Sequence, residues 1–364
     1  MSFPSHWQRN VSLAEYTSMK LGGKAEFFCE VETREQLISC FEYAKSNGIF
    51  IHLLGGGTNL VISDSGLMGL TIRVKIKENG TVYRKDKHGN RTFVTVDCGE
   101  TWDDFVAHVC KRGLYGIECM SGIPGTVGAA PVQNIGAYGQ ELTDTIQAVE
   151  IFSPESKNIF WVEPAFLKLR YRSSILKMNN LPAPYVVTAI RLALHNEMTE
   201  FPSYPELNAR LRLASNDSNR KLTPQDIREN VLDIRRGKSM VMDDRDPWSK
   251  SCGSFFTNPV LSSTDGERLQ NLAMQKGWPE IPMYLTSDFR FKVPAAKLIE
   301  LSGLTKGFSM GTACISEKHA LAIVNRGESA QDVHKLCRHI QSQVQKKFGV
   351  TLEPEPQFWG NFRE

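Results

Sequence analysis

The sequence predicts an α+β protein of two or three domains, and three observations carry that expectation. Its 364 residues, 41% hydrophobic and 23% charged, can bury a sizeable core yet exceed what one ordinary domain holds. Through residue 195 the apolar residues fall mostly into short runs of strand length with two helix-period segments between them, the mixture of an α+β chain rather than the regular alternation of a doubly wound one. A polar stretch within residues 213–240 then precedes a last third with two further helices, and we place a domain boundary there.

The first helix opens at Thr33-Arg34-Glu35-Gln36, a capping box, continues through Leu37, Phe41 and Ala44, and stops at Gly48. IFIHLL follows as a strand, then Gly55-Gly56-Gly57-Thr58-Asn59, then LVIS, so the glycines join strand to strand. TIRVKI, TVYRK and TFVTVDCG read as strands leading to a helix capped by Thr101 and Asp104, with Phe105, Val106 and Val109 inside and Gly113 after it. TIQAVEIFS, NIFWVEP and YVVTAIRLAL continue the strands, whereas LASNDSNRKLTP, residues 213–224, reads as a loop. In the last third a helix follows Pro294, and a longer one opens at Ser329-Ala330-Gln331-Asp332 with Val333, Leu336, Ile340 and Val344 on one face and Gly349 at its end. VTLEPEPQF reads as a final strand. Internal repeats, low-complexity tracts and heptads are absent from the sequence.

With 43 Lys+Arg against 40 Asp+Glu, the net charge of +3 argues against a nucleic-acid binder and leaves room for local basic pockets holding small acidic ligands. The eight cysteines show no Cys-x-x-Cys spacing, so reduced, mostly buried thiols are expected rather than a zinc site or disulfide framework. The histidines lie in no metal-binding motif, and no metal is expected. A polar, charged start and the lack of any run of about 18 apolar residues point to a soluble, cytoplasmic protein without membrane insertion.

Residues 55–59 do not fit a Rossmann fingerprint, because a strand and not a helix follows the glycines. They read either as a tight turn or as a cradle in which backbone N–H groups, a hydroxyl and an amide converge on a pyrophosphate. Gly116 to Gly139 holds six glycines in 24 residues, where the chain average gives about two. Small residues there, among them Gly125, Gly128 and Gly136, let main chain approach a planar ligand, and Gln133, Asn134 and Tyr138 can bond ring heteroatoms; a loop-rich connection is the alternative, and we favour a flat aromatic cofactor. Tyr171-Arg172-Ser173-Ser174 fits an exposed strand end as well as a site. Ser254, between Gly253 and two phenylalanines, has no Gly-x-Ser-x-Gly setting and no evident His–Asp pair, so a hydrolase nucleophile is not expected and a proton donor is the sharper alternative. Glu353 and Glu355 read as solvated carboxylates when taken alone. Arg235, Arg236, Lys238 and Lys250 form either a solvated face or a lining for a phosphorylated substrate.

Taken together, Thr17-Ser18-Met19-Lys20-Leu21-Gly22-Gly23, Leu54 to Leu60, Ile123-Pro124-Gly125-Thr126-Val127-Gly128, Gln133 to Gly139, Tyr171 to Ser174, Gly253 to Pro259 and Leu352-Glu353-Pro354-Glu355 resemble the UDP-N-acetylenolpyruvoylglucosamine reductases, flavoenzymes of peptidoglycan precursor synthesis. The motifs span almost the whole chain. The resemblance implies a non-covalent FAD in a two-part domain similar to that of the vanillyl-alcohol oxidases, formed by residues 1–75 with a C-terminal strand in 350–364 and by residues 76–235, plus a smaller α+β substrate-binding domain in 236–349. It implies that NADPH reduces the flavin, which then passes a hydride to the enolpyruvyl group of UDP-N-acetylglucosamine enolpyruvate. Ser254 would protonate the resulting carbanion, with Arg172 and Glu355 stabilising the enolate beside the carboxylate. Gly55, Gly56, Gly57, Thr58, Asn59, Pro124, Gly125, Gly128, Gly136 and Tyr138 are expected around the cofactor. Tyr138, Tyr171, Tyr204, Lys238 and Asn258 are expected at the substrate, Tyr204 matching the mobile tyrosine of the family's longer branch and Lys238 and Asn258 meeting the diphosphate.

Several positions depart from the family pattern. Thr257 stands where a basic residue is common, Pro356-Gln357 where an apolar residue and Arg are usual, and residues 213–224 and 239–250 look longer. A flavin oxidase on the same architecture is the rival reading; such enzymes often link the flavin to a histidine in the first glycine loop, and residues 55–64 contain none. A non-catalytic nucleotide-sugar binding protein is a third reading, and it would leave the Gly116 to Gly139 block unexplained.

Overall fold

The computed structural model describes residues 4, 6–177, 184–218, 221–286 and 288–363. The first half of the chain runs β1 (Gln8–Ser12), β2 (Lys24–Val31), α1 (Arg34–Ser46), β3 (Ile51–Leu54), β4 (Leu60–Ile62), β5 (Leu67–Val74), β6 (Thr81–Lys85), β7 (Arg91–Asp97), α2 (Trp102–Lys111), β8 (Gly136–Ala137), β9 (Gln140–Glu141), β10 (Ile146–Ser153), β11 (Asn158–Val162), α3 (Pro164–Leu167) and β12 (Val186–His195). It continues α4 (Pro205–Ser218), α5 (Pro224–Gly237), β13 (Val260–Leu261), α6 (Ser263–Gln275), β14 (Tyr284–Leu285), β15 (Phe291–Lys292), α7 (Ala295–Leu301), β16 (Ser309–Met310), β17 (Ala313–Ile315), β18 (Ile323–Asn325), α8 (Ala330–Phe348) and β19 (Gln357–Trp359). Two compact units result: Met1–Val11, Ala25–Gly57 and Met68–Val241 make the first, and Ser12–Lys24, Thr58–Leu67 and Met242–Glu364 the second.

Two sheets organise the first unit, one in the order β1-β2-β5-β3 and one in the antiparallel order β11-β10-β12-β7-β6. The central strand β12 is buried along nearly its whole length, as its unbroken apolar run demands, whereas the edge strand β6 buries none of its residues. Helix α1 carries the capping box expected at Thr33 and Gln36 and sinks Leu37, Cys40, Phe41 and Ala44 into the core. Trp102, Phe105, Val106, Val109 and Cys110 form the buried stripe of α2.

Residues 213–218 are not loop but the second half of α4. Leu207 and Leu211, one turn apart and fully buried, pack it on Ile227, Val231 and Ile234 of α5, and tertiary packing overrides the polar composition of its end. Helix α5 starts with a second capping box, Thr223 with Asp226, and Pro224 in its first turn.

The second unit is built on α6, α7 and α8 with three small sheets: β13-β15-β14, β16-β17-β18 and the parallel pair β19-β4. Val333, Leu336, Ile340 and Val344 face its core, and Gly349 ends α8 in a left-handed conformation at φ 69°. The final strand is shorter than expected: only Gln357–Trp359 joins a ladder. Pro354 and Pro356 lack the N–H groups that a longer ladder needs.

All eight cysteines are free thiols, seven of them buried. No helix among the described residues is long and apolar enough to cross a membrane. Leu211→Ala should cost about 2–5 kcal/mol in urea unfolding, because its side chain fills the α4–α5 core; a loss below about 0.5 kcal/mol, the size of an ordinary surface change, would contradict the packing of α4 on α5.

Candidate active site

In the first unit the two glycine-rich stretches meet backbone to backbone. A Cβ on Gly56 would lie 2.7 Å from Gly125 Cα, and one on Gly55 would lie 3.1 Å from Thr126 Oγ1, an approach that only glycine permits at position 56. The second stretch is held from behind by main chain. Trp102 N donates to Gly125 O at 3.0 Å, Val127 N to Glu100 O at 2.8 Å, and Gly128 N to Cys98 O at 2.9 Å. A Cβ on Gly128 would come within 2.6 Å of Cys98 Cβ. Thr101 occupies the N-cap of α2 as expected, but its hydroxyl makes no capping bond; Thr101 instead bridges to Thr126, and the Gly125 carbonyl takes the first N–H of the helix. Asp103 adds a clamp, accepting from Gly122 N and from both terminal nitrogens of Arg228. Burial opposes ionisation of Asp103, yet the bonds from Arg228 and Gly122 hold its carboxyl below the usual range.

Beyond this loop, Asn134 is 1% exposed and left-handed at φ 45°. Its amide nitrogen donates to Glu141 Oε2 at 3.0 Å and Arg170 O at 3.3 Å, and its amide oxygen accepts from Thr143 N at 3.0 Å. Arg172 reaches the same segment, donating to Asn134 O at 3.3 Å and Gly136 O at 2.6 Å, with its guanidinium 5.4 Å from the centre of the Tyr171 ring. Gly136 lies in the short β8–β9 hairpin, so Arg172 and the glycine block form one structure. Tyr138 packs edge-on against Tyr204 with ring centres 5.1 Å apart, and burial pushes its phenol up to about 12. Half-buried Arg235 donates to Gly122 O and Met240 O at 3.1 and 2.8 Å. Its desolvation lowers its pKa, with Tyr138 and Asp103 opposing the shift. Lys238, expected at a diphosphate, is paired with Glu206 in the first turn of α4, two residues after Tyr204.

In the second unit residues 255–257 run antiparallel to residues 353–355. Glu355 N donates to Phe255 O at 2.9 Å and Thr257 N to Glu353 O at 3.0 Å, with a bridge between Phe256 and Pro354. This pairing brings the segments of Ser254 and Glu355 together, and both residues are half-buried. Asn59 fastens the arrangement: its amide donates to Glu355 O at 3.0 Å and its carbonyl accepts from Gln357 N at 3.0 Å. Ser18 donates to Ser251 O at 2.7 Å and to Thr58 O at 3.4 Å, which connects the first sequence motif with the serine loop. Phe255 and Phe256 are fully buried beneath it. Burial pushes the Cys252 thiol up to about 12, and the Glu355 carboxylate adds to the shift. Asn258, expected at the diphosphate, gives its amide oxygen to Ala295 N at 3.0 Å and so caps α7.

Sequence reasoning missed Asp103, Arg228 and Cys98, the partners that hold the second glycine loop. For Arg228 a signal existed, since Thr223-Pro224-Gln225-Asp226 marks the helix that carries it.

Comparison with known proteins gives consistent matches. The C-terminal domain model of UDP-N-acetylenolpyruvoylglucosamine reductase matches residues 245–359, and an FAD binding domain matches residues 25–159. The UDP-N-acetylenolpyruvoylglucosamine reductase of Thermobifida fusca is 38% identical over 352 residues, covering 96% of each chain. The chain belongs to the UDP-N-acetylenolpyruvoylglucosamine reductase family. The reductase of Mycobacterium tuberculosis is 37% identical, with 97% of this chain and 95% of its own length covered. The crystal structure of UDP-N-acetylenolpyruvylglucosamine reductase from Thermus caldophilus superposes with a TM-score of 0.63 at 28% identity, over 97% of this chain and 98% of the other.

As a member of the UDP-N-acetylenolpyruvoylglucosamine reductase family, the chain is an FAD-containing oxidoreductase of α+β class. Its residues fit that cofactor. Gly55, Gly56, Gly125 and Gly128 let the two loops pack backbone to backbone while staying half-buried, and backbone N–H groups in such a turn suit a pyrophosphate. The tight packing at Gly56 yields a test: Gly56→Ala forces the loop off Gly125 and should weaken FAD binding at least about tenfold, read by flavin fluorescence on titration into stripped protein. Unchanged affinity would remove the loop contact from the cofactor site.

Proposed function

We propose that the chain catalyses the NADPH-dependent reduction of UDP-N-acetylglucosamine enolpyruvate to UDP-N-acetylmuramate, a step of peptidoglycan precursor synthesis. The observation that carries this reading is the pairing of residues 255–257 with 353–355, which unites the Ser254 and Glu355 segments under the Asn59 amide. When bound, non-covalent FAD supplies hydride transfer between NADPH and the enolpyruvyl group. Ser254 is the proton donor: a serine hydroxyl is too weak an acid for most tasks but can protonate a strongly basic carbanion. Buried Phe255 and Phe256 back the loop with apolar surface, which keeps water from competing for that proton.

Glu355 and Arg172 stabilise negative charge growing beside the substrate carboxylate, Arg172 from a guanidinium already oriented by two carbonyls. Tyr138 and Tyr171 line the substrate, Tyr204 closes over its UDP part as in the longer branch of the family, and Lys238 with Asn258 meets the diphosphate. For Lys238 this means exchanging Glu206 for a phosphate, and for Asn258 it leaves the amide NH₂ as the contacting group. The functional division is into residues 1–75 with 350–364, 76–235 and 236–349: the FAD binding domain match to residues 25–159 supports a flavin part on both sides of residue 75, the reductase C-terminal domain match to residues 245–359 supports the substrate part, and the pairing of β19 with β4 supports joining 350–364 to residues 1–75. The absence of histidine from residues 55–64 supports a dissociable flavin, and small-molecule substrates in the cytoplasm complete the reading.

Anaerobic stopped-flow separates the roles. Ser254→Ala should leave flavin reduction by NADPH nearly intact and slow reoxidation by the enolpyruvyl substrate by about 10⁴-fold or more; equal losses in both half-reactions would sink the proton-donor role. Glu355→Gln should likewise act on the second half-reaction, and unchanged turnover would return Glu355 to a surface carboxylate. Tyr204→Phe should mainly raise KM, while an unaltered KM would take this tyrosine out of the site.

A further inference from the structure

We infer that Cys29 and Cys40, in the core of the first unit, form a thiol–disulfide exchange site that takes small-molecule disulfides. Cys29 lies on β2 and Cys40 on α1, at 1% and 2% exposure. Their sulfurs are 3.6 Å apart, a contact that no other pair of cysteines makes among the described residues. A disulfide spans about 2.05 Å, so closure asks the sulfurs to approach by about 1.5 Å, a movement on the scale of a χ1 adjustment in each side chain.

The surroundings distinguish the two thiols. His6 Nε2 stands 3.9 Å from Cys40 Sγ, and His6 itself is exposed, so the buried sulfur touches a side chain that reaches solvent. His6 lies two residues before β1, an edge strand of its sheet, and edge segments open at lower free energy than central ones. The contact between the two sulfurs together with His6 holds Cys40 below the ordinary thiol value, while Cys29 is raised by the same contact and by burial. Cys40 is therefore the attacking sulfur and Cys29 the resolving one.

The exchange balances in two steps. The Cys40 thiolate attacks one sulfur of a disulfide RSSR, forming a mixed Cys40–S–S–R bond and expelling RS⁻, which takes up a proton. Cys29 then gives up its proton and attacks Cys40 Sγ, forming the Cys29–Cys40 bond and expelling the second RS⁻. Two protein thiols are oxidised and one RSSR is reduced to two RSH. The product ties α1 to β2 across the core of the first unit.

Oxidised glutathione is the probe for the FAD-loaded protein, followed by alkylation under denaturing conditions and peptide mapping. Labelled thiols should fall from the eight in the sequence to six, with a Cys29–Cys40 linked peptide that dithiothreitol abolishes. Cys29→Ser should stall as a glutathione adduct on Cys40, and Cys40→Ser should slow thiol loss at least about tenfold. Eight labelled thiols after prolonged exposure, or loss confined to other cysteines, overturns the inference; should either variant fail to fold, the map of the unsubstituted protein decides alone.

Discussion

The contact between Gly56 and Gly125, where a Cβ would sit 2.7 Å from the facing Cα, governs much of the first unit. Two loops can approach so closely only if neither carries a side chain at the meeting point and both are held from behind. The holding is done by β3 on one side and by the start of α2 on the other, where the carbonyl of Gly125 takes the Trp102 N–H and the Asp103 carboxylate takes the N–H of Gly122. Arg228 of α5 completes the clamp by neutralising Asp103. The α4–α5 pair is thus tied to the second glycine loop through a half-buried ion pair, although its residues lie some hundred positions downstream.

The second unit solves a different problem, that of joining the segments of Ser254 and Glu355, a hundred residues apart. It does so with very little ladder. Two backbone bonds and one bridge join residues 255–257 to 353–355, and one asparagine amide holds the Glu355 carbonyl. Pro354 and Pro356 prevent that segment from becoming a longer strand, which leaves Glu355 at the end of the pairing and not in the middle of a sheet. The same Asn59 that closes the first glycine motif in the sequence therefore acts here as a positioning group for the second motif that carries a carboxylate.

Much of this was legible in the residues. The capping box at Thr33, the helix start at Ser329, the alternating strands and the strand–glycine–strand pattern at 55–59 all signal through local chemistry, and the local chemistry survives folding. What was hidden is tertiary. Helix α4 ends in serine, asparagine and aspartate, and only its packing on α5 makes a helix of that composition stable. The hydroxyl of Thr101 makes no cap, and the first N–H of α2 goes to a carbonyl some twenty-five residues away. Asn258 and Lys238 read as ligands of a diphosphate, yet the fold engages Asn258 as a helix cap and Lys238 as a partner of Glu206, neither of which spacing reveals. Of the motifs, the order in the chain identified the family, whereas the mutual contact of the two glycine loops came only from the structure.

The central claim is that the two glycine loops in contact form the flavin cradle. Amide hydrogen exchange of the protein stripped of FAD and then reloaded tests it most directly. Reloading should slow exchange in peptides that contain residues 55–57 and 122–128 together, with the β6–β7 hairpin unchanged. Protection of one loop without the other, or of neither, would contradict the claim even if the protein bound flavin.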